Sequence, residues 1–138
     1  MSTLVRFGIS LGRDLLSNFD RHLVDRAYRN RSEAIRDLIR EELVKKEWQK
    51  NKYVAGTITL VYDHHIRELV NKLTEIQHSF HDLVISTQHI HLDHCNCLET
   101  IVVKGNSSQV KKLADRLKSE RGVKYGELTM ATIGKHLK

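Results

Sequence analysis

The stretch LVRFGISL, residues 4–11, decides how the first part of the chain folds. Its side chains alternate in character, and successive side chains of a strand point to opposite faces, so Val5, Phe7, Ile9 and Leu11 share one apolar face. Two helical patterns follow it, and no second strand lies nearby in the chain to pair with it. The sequence therefore predicts that a second copy of the chain supplies the partner strand, which makes an antiparallel ribbon.

Two predicted helices complete this N-terminal unit. The first begins at about Arg13 and carries apolar residues at helical spacing up to Val24. The second opens with the segment NRSE, residues 30–33, which matches a capping box: Asn30 caps the helix and Glu33 reaches back to it. A unit of about 50 residues has a small core for its surface, which again favours a dimer.

Arginine is concentrated in the same unit. Residues 1–52 carry 12 Lys+Arg against 8 Asp+Glu, and eight of those basic residues are arginines. The whole chain has a formal net charge of +6 at pH 7. A basic, arginine-rich module favours a partner that carries phosphates.

A second domain is predicted from residue 53 onward. Strands are expected over 56–62, 84–92, 97–105 and 123–133, and helices over 66–80 and 108–121. The order βαββαβ is that of a ferredoxin-like unit. We therefore predict an α+β chain with a βαα domain over residues 1–52 and a βαββαβ domain over residues 53–138.

Seven of the nine histidines and both cysteines fall between positions 64 and 97. His89 and His91 stand on the same side of a predicted strand, about 7 Å apart along it. Cys97 follows after a turn, on the neighbouring strand. Two imidazoles and a thiolate favour Zn, Cu or Ni over Mg or Ca. From these residues alone, a metal site and an ordinary half-buried strand are about equally favoured.

Several classes of protein are disfavoured. No stretch approaches the ~20 apolar residues of a membrane span, and the N-terminus lacks the apolar run of a signal peptide. Cys95 and Cys97 are too close in sequence to make a good disulfide, which fits a reducing compartment. We expect a cytoplasmic protein without a membrane partner. It is also not expected to be an enzyme, because no nucleophile–base pair or phosphate loop is present.

The segments RFGIS, residues 6–10, and YRNRSEAIRD, residues 28–37, closely resemble a ribbon–helix–helix DNA-binding module. Joined to His78, His89-x-His91 and Cys97 on a βαββαβ domain, they make the whole chain resemble the nickel-responsive transcriptional regulators. The N-terminal motif alone is shared with antitoxins and plasmid repressors, whereas the combination is highly specific. The resemblance implies ACT-like C-terminal domains that join two dimers into a homotetramer.

The resemblance also implies the metal and its ligands. One Ni²⁺ per subunit is expected in a planar site at the tetramer interface, with His89, His91 and Cys97 from one subunit and His78 from the facing one. Three nitrogens and one sulfur in a plane suit nickel, while zinc prefers a tetrahedron. The implied function is metal-gated regulation, in which nickel promotes operator binding and represses nickel-uptake genes.

In this family the ribbon enters the major groove of double-stranded DNA at palindromic half-sites. The residues that face the bases are then Arg6, Gly8 and Ser10, unless this face is merely solvated. The residues that match contacts to the DNA backbone are Arg31, Ser32 and Arg67. Arg31 and Ser32 begin a helix, where free N–H groups favour an anion, although a simple helix cap is compatible with them.

Further cation sites are suggested less strongly. Glu33 and Asp37 stand one helical turn apart and repel each other unless something lies between them. In the family these positions help to hold a second, weaker cation, and pairing with Arg36 and Arg40 is an equal alternative. Four more histidines are candidates for a secondary site, each more simply explained as facing solvent: His64, His65, His81 and His94.

Three residues depart from the family pattern. Gly8 offers only its backbone to the bases, so the operator is expected to differ. Ala27 replaces the usual glycine between the helices, which costs roughly 1 kcal/mol if the backbone is left-handed there. Cys95 is either a competitor for the metal or a reducible spare thiol, and the second is favoured because Cys97 has the family spacing from His91.

Two other functions remain open alternatives. A metal-independent repressor of the antitoxin type would use its C-terminal domain to block a partner protein. A metal-binding or storage module would capture its ligand without gating transcription. A stable complex with a toxin would favour the first, and an operator affinity indifferent to metal would favour the second.

Overall fold

The computed structural model describes residues 3–138. Their elements, in chain order, are α1 Arg13–Asp25, α2 Arg31–Gln49, β1 Tyr53–Asp63, α3 Arg67–Ser79, β2 Val84–His91, β3 Asn96–Asn106, α4 Ser107–Lys118 and β4 Val123–Met130. Two compact units result, one ending at Leu43 and including His136–Lys138, the other spanning Val44–Lys135. None of the described helices is long and apolar enough to cross a membrane.

The second unit contains a four-stranded antiparallel sheet in the order β2-β3-β1-β4. With α3 between β1 and β2 and α4 between β3 and β4, this is the predicted ferredoxin-like βαββαβ arrangement, and the α+β class is confirmed. The last strand stops at Met130, three residues earlier than predicted, and β1 begins at Tyr53, three residues earlier. The strand β2 occupies one edge of the sheet.

The core of this unit lies between the sheet and helices α3 and α4. Alternate residues of β1 are buried, among them Ile58 and Leu60, because successive side chains of a strand point to opposite faces. They join Leu73 of α3 and Leu113 of α4 in one apolar cluster. Burying one aliphatic side chain of this size contributes about 1.5–3 kcal/mol to the free energy of folding. Because the cluster contains many such side chains, this unit has a core of its own.

The end of α2 belongs to the sheet unit. The Trp48 side chain is buried, and its indole Nε1 donates a hydrogen bond to the Ala131 carbonyl at 2.8 Å. Gly56 is required beside it, because a Cβ atom there would lie 2.7 Å from the Thr129 carbonyl oxygen. This packing fixes the point at which the chain enters the sheet.

The N-terminal unit is less complete in one chain. Residues 3–12 form neither helix nor strand, and all their side chains are exposed, Phe7 to 72% and Ile9 to 57%. The predicted strand over residues 4–11 is therefore not formed by a single chain. Strand hydrogen bonds need a neighbouring strand, which the described part of this unit does not contain.

The turn between α1 and α2 contains the predicted helix cap at Asn30 and the left-handed backbone considered at Ala27. Asn30 Oδ1 accepts a hydrogen bond from the Glu33 N–H at 3.0 Å, which confirms Asn30 as the cap of α2. The reciprocal bond from the Glu33 side chain is absent among the hydrogen bonds of residues 3–138. Ala27 has a φ of 57°, so the backbone does enter the left-handed region there, at a cost that glycine would avoid.

Candidate metal centre

The pairing of β2 with β3 brings three of the predicted metal ligands to one corner of the sheet. His91 lies opposite Cys97, and His89 lies opposite Glu99. Directly opposed residues of antiparallel strands share a face, so both imidazoles lie on the same side as the thiol. The two histidines are exposed at the edge strand, whereas Cys97 and Glu99 are buried.

A buried carboxylate holds one of these histidines. The Glu99 Oε1 atom lies 2.7 Å from His89 Nε2 and accepts a hydrogen bond from the Tyr62 hydroxyl at 2.8 Å. A carboxylate bound to a histidine fixes the tautomer and orientation of the ring and raises its basicity as a ligand. With Nε2 directed at Glu99, the Nδ1 atom of His89 is left for a metal.

The same carboxylate connects the sheet to α3. Gln77 Nε2 donates a hydrogen bond to Glu99 Oε2 at 2.7 Å, and Thr87 on β2 donates one to Gln77 Oε1 at 3.0 Å. The residue after Gln77 is His78, the fourth predicted ligand. The Glu99 carboxylate that orients His89 therefore also anchors α3 through Gln77.

The Cys97 thiol lies in an apolar setting. Burial raises the pKa of this thiol, and the negative charge of Glu99 raises it further, against a hydrogen bond with Tyr62 that lowers it. Burial and the bond to Glu99 also raise the pKa of the Tyr62 hydroxyl. Because the thiolate is the form that binds metals, Cys97 becomes a ligand only when a cation displaces its proton.

His78 lies on a different element from the other three predicted ligands. Its side chain is exposed on α3 and lines an open groove together with Asn71, Thr74 and Glu75. One chain places His89, His91 and Cys97 on paired strands and His78 on an exposed helix. Among the described residues, His89, His91 and Cys97 are not a group whose ligand atoms all lie within 4.8 Å of one another.

His64, one of the histidines named from the sequence as a candidate for a secondary site, lies beside His91. The ring of His64 stacks on that of His91, with centroids 4.4 Å apart and planes 2° apart. The described chain holds one group of three His, Cys, Asp or Glu ligand atoms that all lie within 4.8 Å of one another, formed by Asp63, His65 and Cys95. Sequence reasoning named His65 as a reserve candidate, took Cys95 for a spare thiol and missed Asp63. The register that joins the end of β1 to the start of β3 is what assembles this group, and composition carries no sign of it.

The predicted DNA-reading residues are all accessible. Arg6, Gly8 and Ser10 lie in the exposed segment before α1. Arg31 is exposed at the start of α2, but its Nε and Nη2 atoms bind the Asp20 carboxylate at 2.9 and 2.8 Å. That ion pair lowers the pKa of Asp20.

Two more residues of the predicted DNA backbone contact are also exposed. Ser32 follows Arg31 in the first turn of α2, and Arg67 is the first residue of α3. The free N–H groups of each helix start suit an anion.

The predicted second cation pair is partly engaged by other groups. Asp37 accepts a hydrogen bond from the Tyr28 hydroxyl at 2.8 Å and lies 3.6 Å from Arg40 Nη1. This is one of the two alternatives that the sequence left open. Glu33 is half-buried and is not grouped with Asp37 in any metal-binding set of the described residues.

Comparison with known protein families agrees with this layout. Residues 55–131, more than half of the chain, match the family described as NikR C terminal nickel binding domain. Residues 5–46 match the family described as ribbon-helix-helix protein, copG family. The chain belongs to the nickel-responsive regulator family.

The relatives of this regulator match it along nearly its whole length. A protein of Syntrophus aciditrophicus named as a nickel-responsive regulator is 58% identical to this chain over 134 residues. The match covers 97% of this chain and 98% of the relative. The Chlorobium limicola protein is 56% identical, covering 97% of this chain and all of the relative. The Solibacter usitatus protein is 55% identical, with both chains fully covered.

A distant protein shares part of the regulator's fold. The structure of uncharacterized protein TM1266 from Thermotoga maritima superposes with a TM-score of 0.51 at 14% identity, covering 56% of this chain and 96% of the other. At this identity the likeness concerns the fold alone.

Proposed function

We propose that this regulator binds operator DNA in response to nickel and represses genes of nickel uptake. The observation that carries the proposal is the corner of the sheet where β2 places His91 opposite Cys97 and His89 on the buried Glu99. The same chain joins this corner to a ribbon–helix–helix module. On this proposal one protein combines a soft-donor metal site with a module that reads DNA.

The proposed nickel site takes one ion per subunit. Its ligands are His89, His91 and Cys97 of one subunit and His78 of the facing subunit. His78 is exposed on α3, whereas the other three residues lie on β2 and β3, which supports a ligand supplied by a second chain. A bound ion would supply the positive charge that turns the Cys97 thiol into a thiolate despite its raised pKa.

The proposed assembly is a homotetramer, a dimer of dimers. Apolar side chains of the β2 edge and the turn after it support it, since Ile85, Ile90 and Leu92 are all exposed in one chain. The open apolar residues of segment 3–12 support the dimer, in which two such segments pair into a ribbon. We retain the domain limits 1–52 and 53–138 as part of this proposal.

For DNA we propose that Arg6, Gly8 and Ser10 face base edges in the major groove at palindromic half-sites. Backbone phosphate is assigned to three residues at helix starts: Arg31, Ser32 and Arg67. Arg31 would exchange the Asp20 carboxylate for a phosphate, and its accessibility makes that exchange inexpensive. Glu33 and Asp37 remain a proposed weak cation site.

Metal gating follows from where the ligands lie. His89 and His91 are on an edge strand and His78 is on a helix, so a site that needs all three fixes β2 and α3 of facing subunits together. The arrangement that fits the operator would then be favoured over the others in solution. We propose a regulatory protein without enzymatic activity, acting in the cytoplasm where the DNA is.

The test is DNA binding by the purified protein with nickel, zinc, copper or no metal. Duplexes selected from a random pool in the presence of nickel serve as operators. We expect tight, sequence-selective binding with nickel and much weaker selectivity without metal. Equal operator affinity under all four conditions would favour the metal-binding module that does not gate transcription, and a stable complex with a toxin, indifferent to metal, would favour the antitoxin-type repressor.

A further inference from the structure

The group formed by Asp63, His65 and Cys95 lies at one end of the sheet unit. Asp63 is the last residue of β1, His65 follows two positions later, and Cys95 precedes β3. One ligand atom of each lies within 4.8 Å of the other two. None of the three belongs to the nickel site proposed above.

The two loops that carry these residues are tied together by backbone bonds. The His64 N–H donates to the Cys95 carbonyl at 3.0 Å, and Asp63 pairs with Asn96 in the β1–β3 ladder. Asp93 holds the second loop, since its Oδ1 atom accepts bonds from the N–H groups of Cys95 and Asn96 at 2.9 and 2.7 Å. The three ligand atoms are therefore brought together by the fold and not by chance contact of long side chains.

The donor set indicates which metal the group would take. One carboxylate oxygen, one imidazole nitrogen and one thiol sulfur suit Zn²⁺ or Co²⁺, whereas Mg²⁺ and Ca²⁺ take oxygen donors. Bonds of about 2.0–2.3 Å place tetrahedral donor atoms roughly 3.3–3.8 Å apart, so a pair of donor atoms at the 4.8 Å limit would close by about 1 Å. Cys95 and His65 are exposed and Asp63 is half-buried, which leaves room for that adjustment.

A fourth ligand is within reach. The ring of His94 lies 5.1 Å from that of His65, and a water molecule is the alternative. His65 Nδ1 lies 3.5 Å from Asp63 Oδ1, a separation that two donor atoms on one tetrahedral ion would have.

We propose that Asp63, His65 and Cys95 form a second metal site, of tetrahedral type, for a zinc-like ion. It is chemically unlike the planar nickel site because it contributes a carboxylate and fewer imidazoles. The two sites share no ligand, although the stacking of His64 on His91 shows that they are neighbours.

The experiment uses the full-length protein loaded with one equivalent of nickel per subunit, then titrated with Co²⁺. Tetrahedral cobalt gives intense visible bands, and a cobalt–thiolate bond adds a charge-transfer band. Dialysis with elemental analysis counts both metals and shows that nickel is retained. We expect one equivalent of cobalt per subunit with both kinds of band.

Cys95→Ser should remove the cobalt–thiolate band, and Asp63→Asn and His65→Ala should each weaken cobalt binding at least tenfold. His81→Ala, which changes an exposed histidine outside the group, is the matched control and should bind cobalt as the wild type does. Cys97→Ser should keep the cobalt–thiolate band, because its sulfur belongs to the other site. Absence of a second equivalent, a band that survives Cys95→Ser, or cobalt binding indifferent to Asp63→Asn and His65→Ala would overturn the proposal.

Discussion

The two units differ in how much of their structure one chain completes. The sheet unit pairs all four of its strands and buries Ile58, Leu60 and Leu113 against each other. The N-terminal unit leaves residues 3–12 unpaired and its Phe7 and Ile9 side chains exposed. A core within the chain therefore supports the corner where His89, His91 and Cys97 lie, while on the proposed function the DNA-reading surface would depend on a second chain.

The largest expected effect concerns folding of the isolated fragment 1–52. Because its strand needs a partner strand, helix content should appear only as the fragment dimerises, and dilution should unfold it. Circular dichroism and sedimentation over a range of concentrations measure this directly. The fragment Val44–Lys135, which has its own core, should keep its secondary structure on the same dilution. A folded monomer of 1–52 at micromolar concentration would show that the N-terminal unit, like the sheet unit, folds without a second chain.

The next effect tests the support of the metal corner. Glu99→Gln keeps the shape of the side chain but removes the negative charge that lies against His89 Nε2. Such changes behind a metal ligand typically cost about 10- to 100-fold in metal affinity, which is the loss we expect for nickel by competition titration. Thermal unfolding of the metal-free variant serves as the control for folding. An unchanged nickel affinity would mean that Glu99 does not orient His89 for binding.

Much of this division was predictable from the sequence. The Asn30 cap predicted the start of α2 and period-two apolar patterns predicted the sheet, whereas the strand predicted from the alternation in residues 4–11 is not formed by one chain. Both patterns reflect local backbone geometry, so a short window contains them. The grouping of Asp63 with Cys95 was not predictable, because it depends on a strand register between residues more than 30 positions apart. The ion pair of Arg31 with Asp20 was also missed, because it joins side chains of two different helices.

A smaller effect separates two kinds of DNA contact. Arg6→Ala should reduce discrimination between operators by about 1–3 kcal/mol at the contacted base. Arg31→Ala should weaken binding to all sequences alike and flatten the dependence on salt. Competition binding with single-base operator variants at several salt concentrations measures both. Uniform loss of affinity in Arg6→Ala would place Arg6 on phosphate.

The smallest effect concerns the turn between α1 and α2. Ala27 has a φ of 57°, which glycine adopts without strain, so Ala27→Gly should stabilise the N-terminal unit by up to about 1 kcal/mol. Chemical denaturation at fixed protein concentration, with the signal of the N-terminal fragment as reference, measures the change. Ala131→Gly in the sheet unit is the matched control, because Ala131 has no positive φ and should gain nothing. Destabilisation by Ala27→Gly would show that the left-handed turn is not strained.

The central claim is that the metal corner controls the DNA-reading surface. It is tested by one nickel titration of the full-length protein, in which nickel–thiolate absorption and operator binding are followed in the same sample. The account predicts that both signals rise together to one nickel per subunit, and that Cys97→Ser loses both while Cys95→Ser keeps both. Operator binding that is complete before any nickel is added, or that survives in Cys97→Ser, would contradict it.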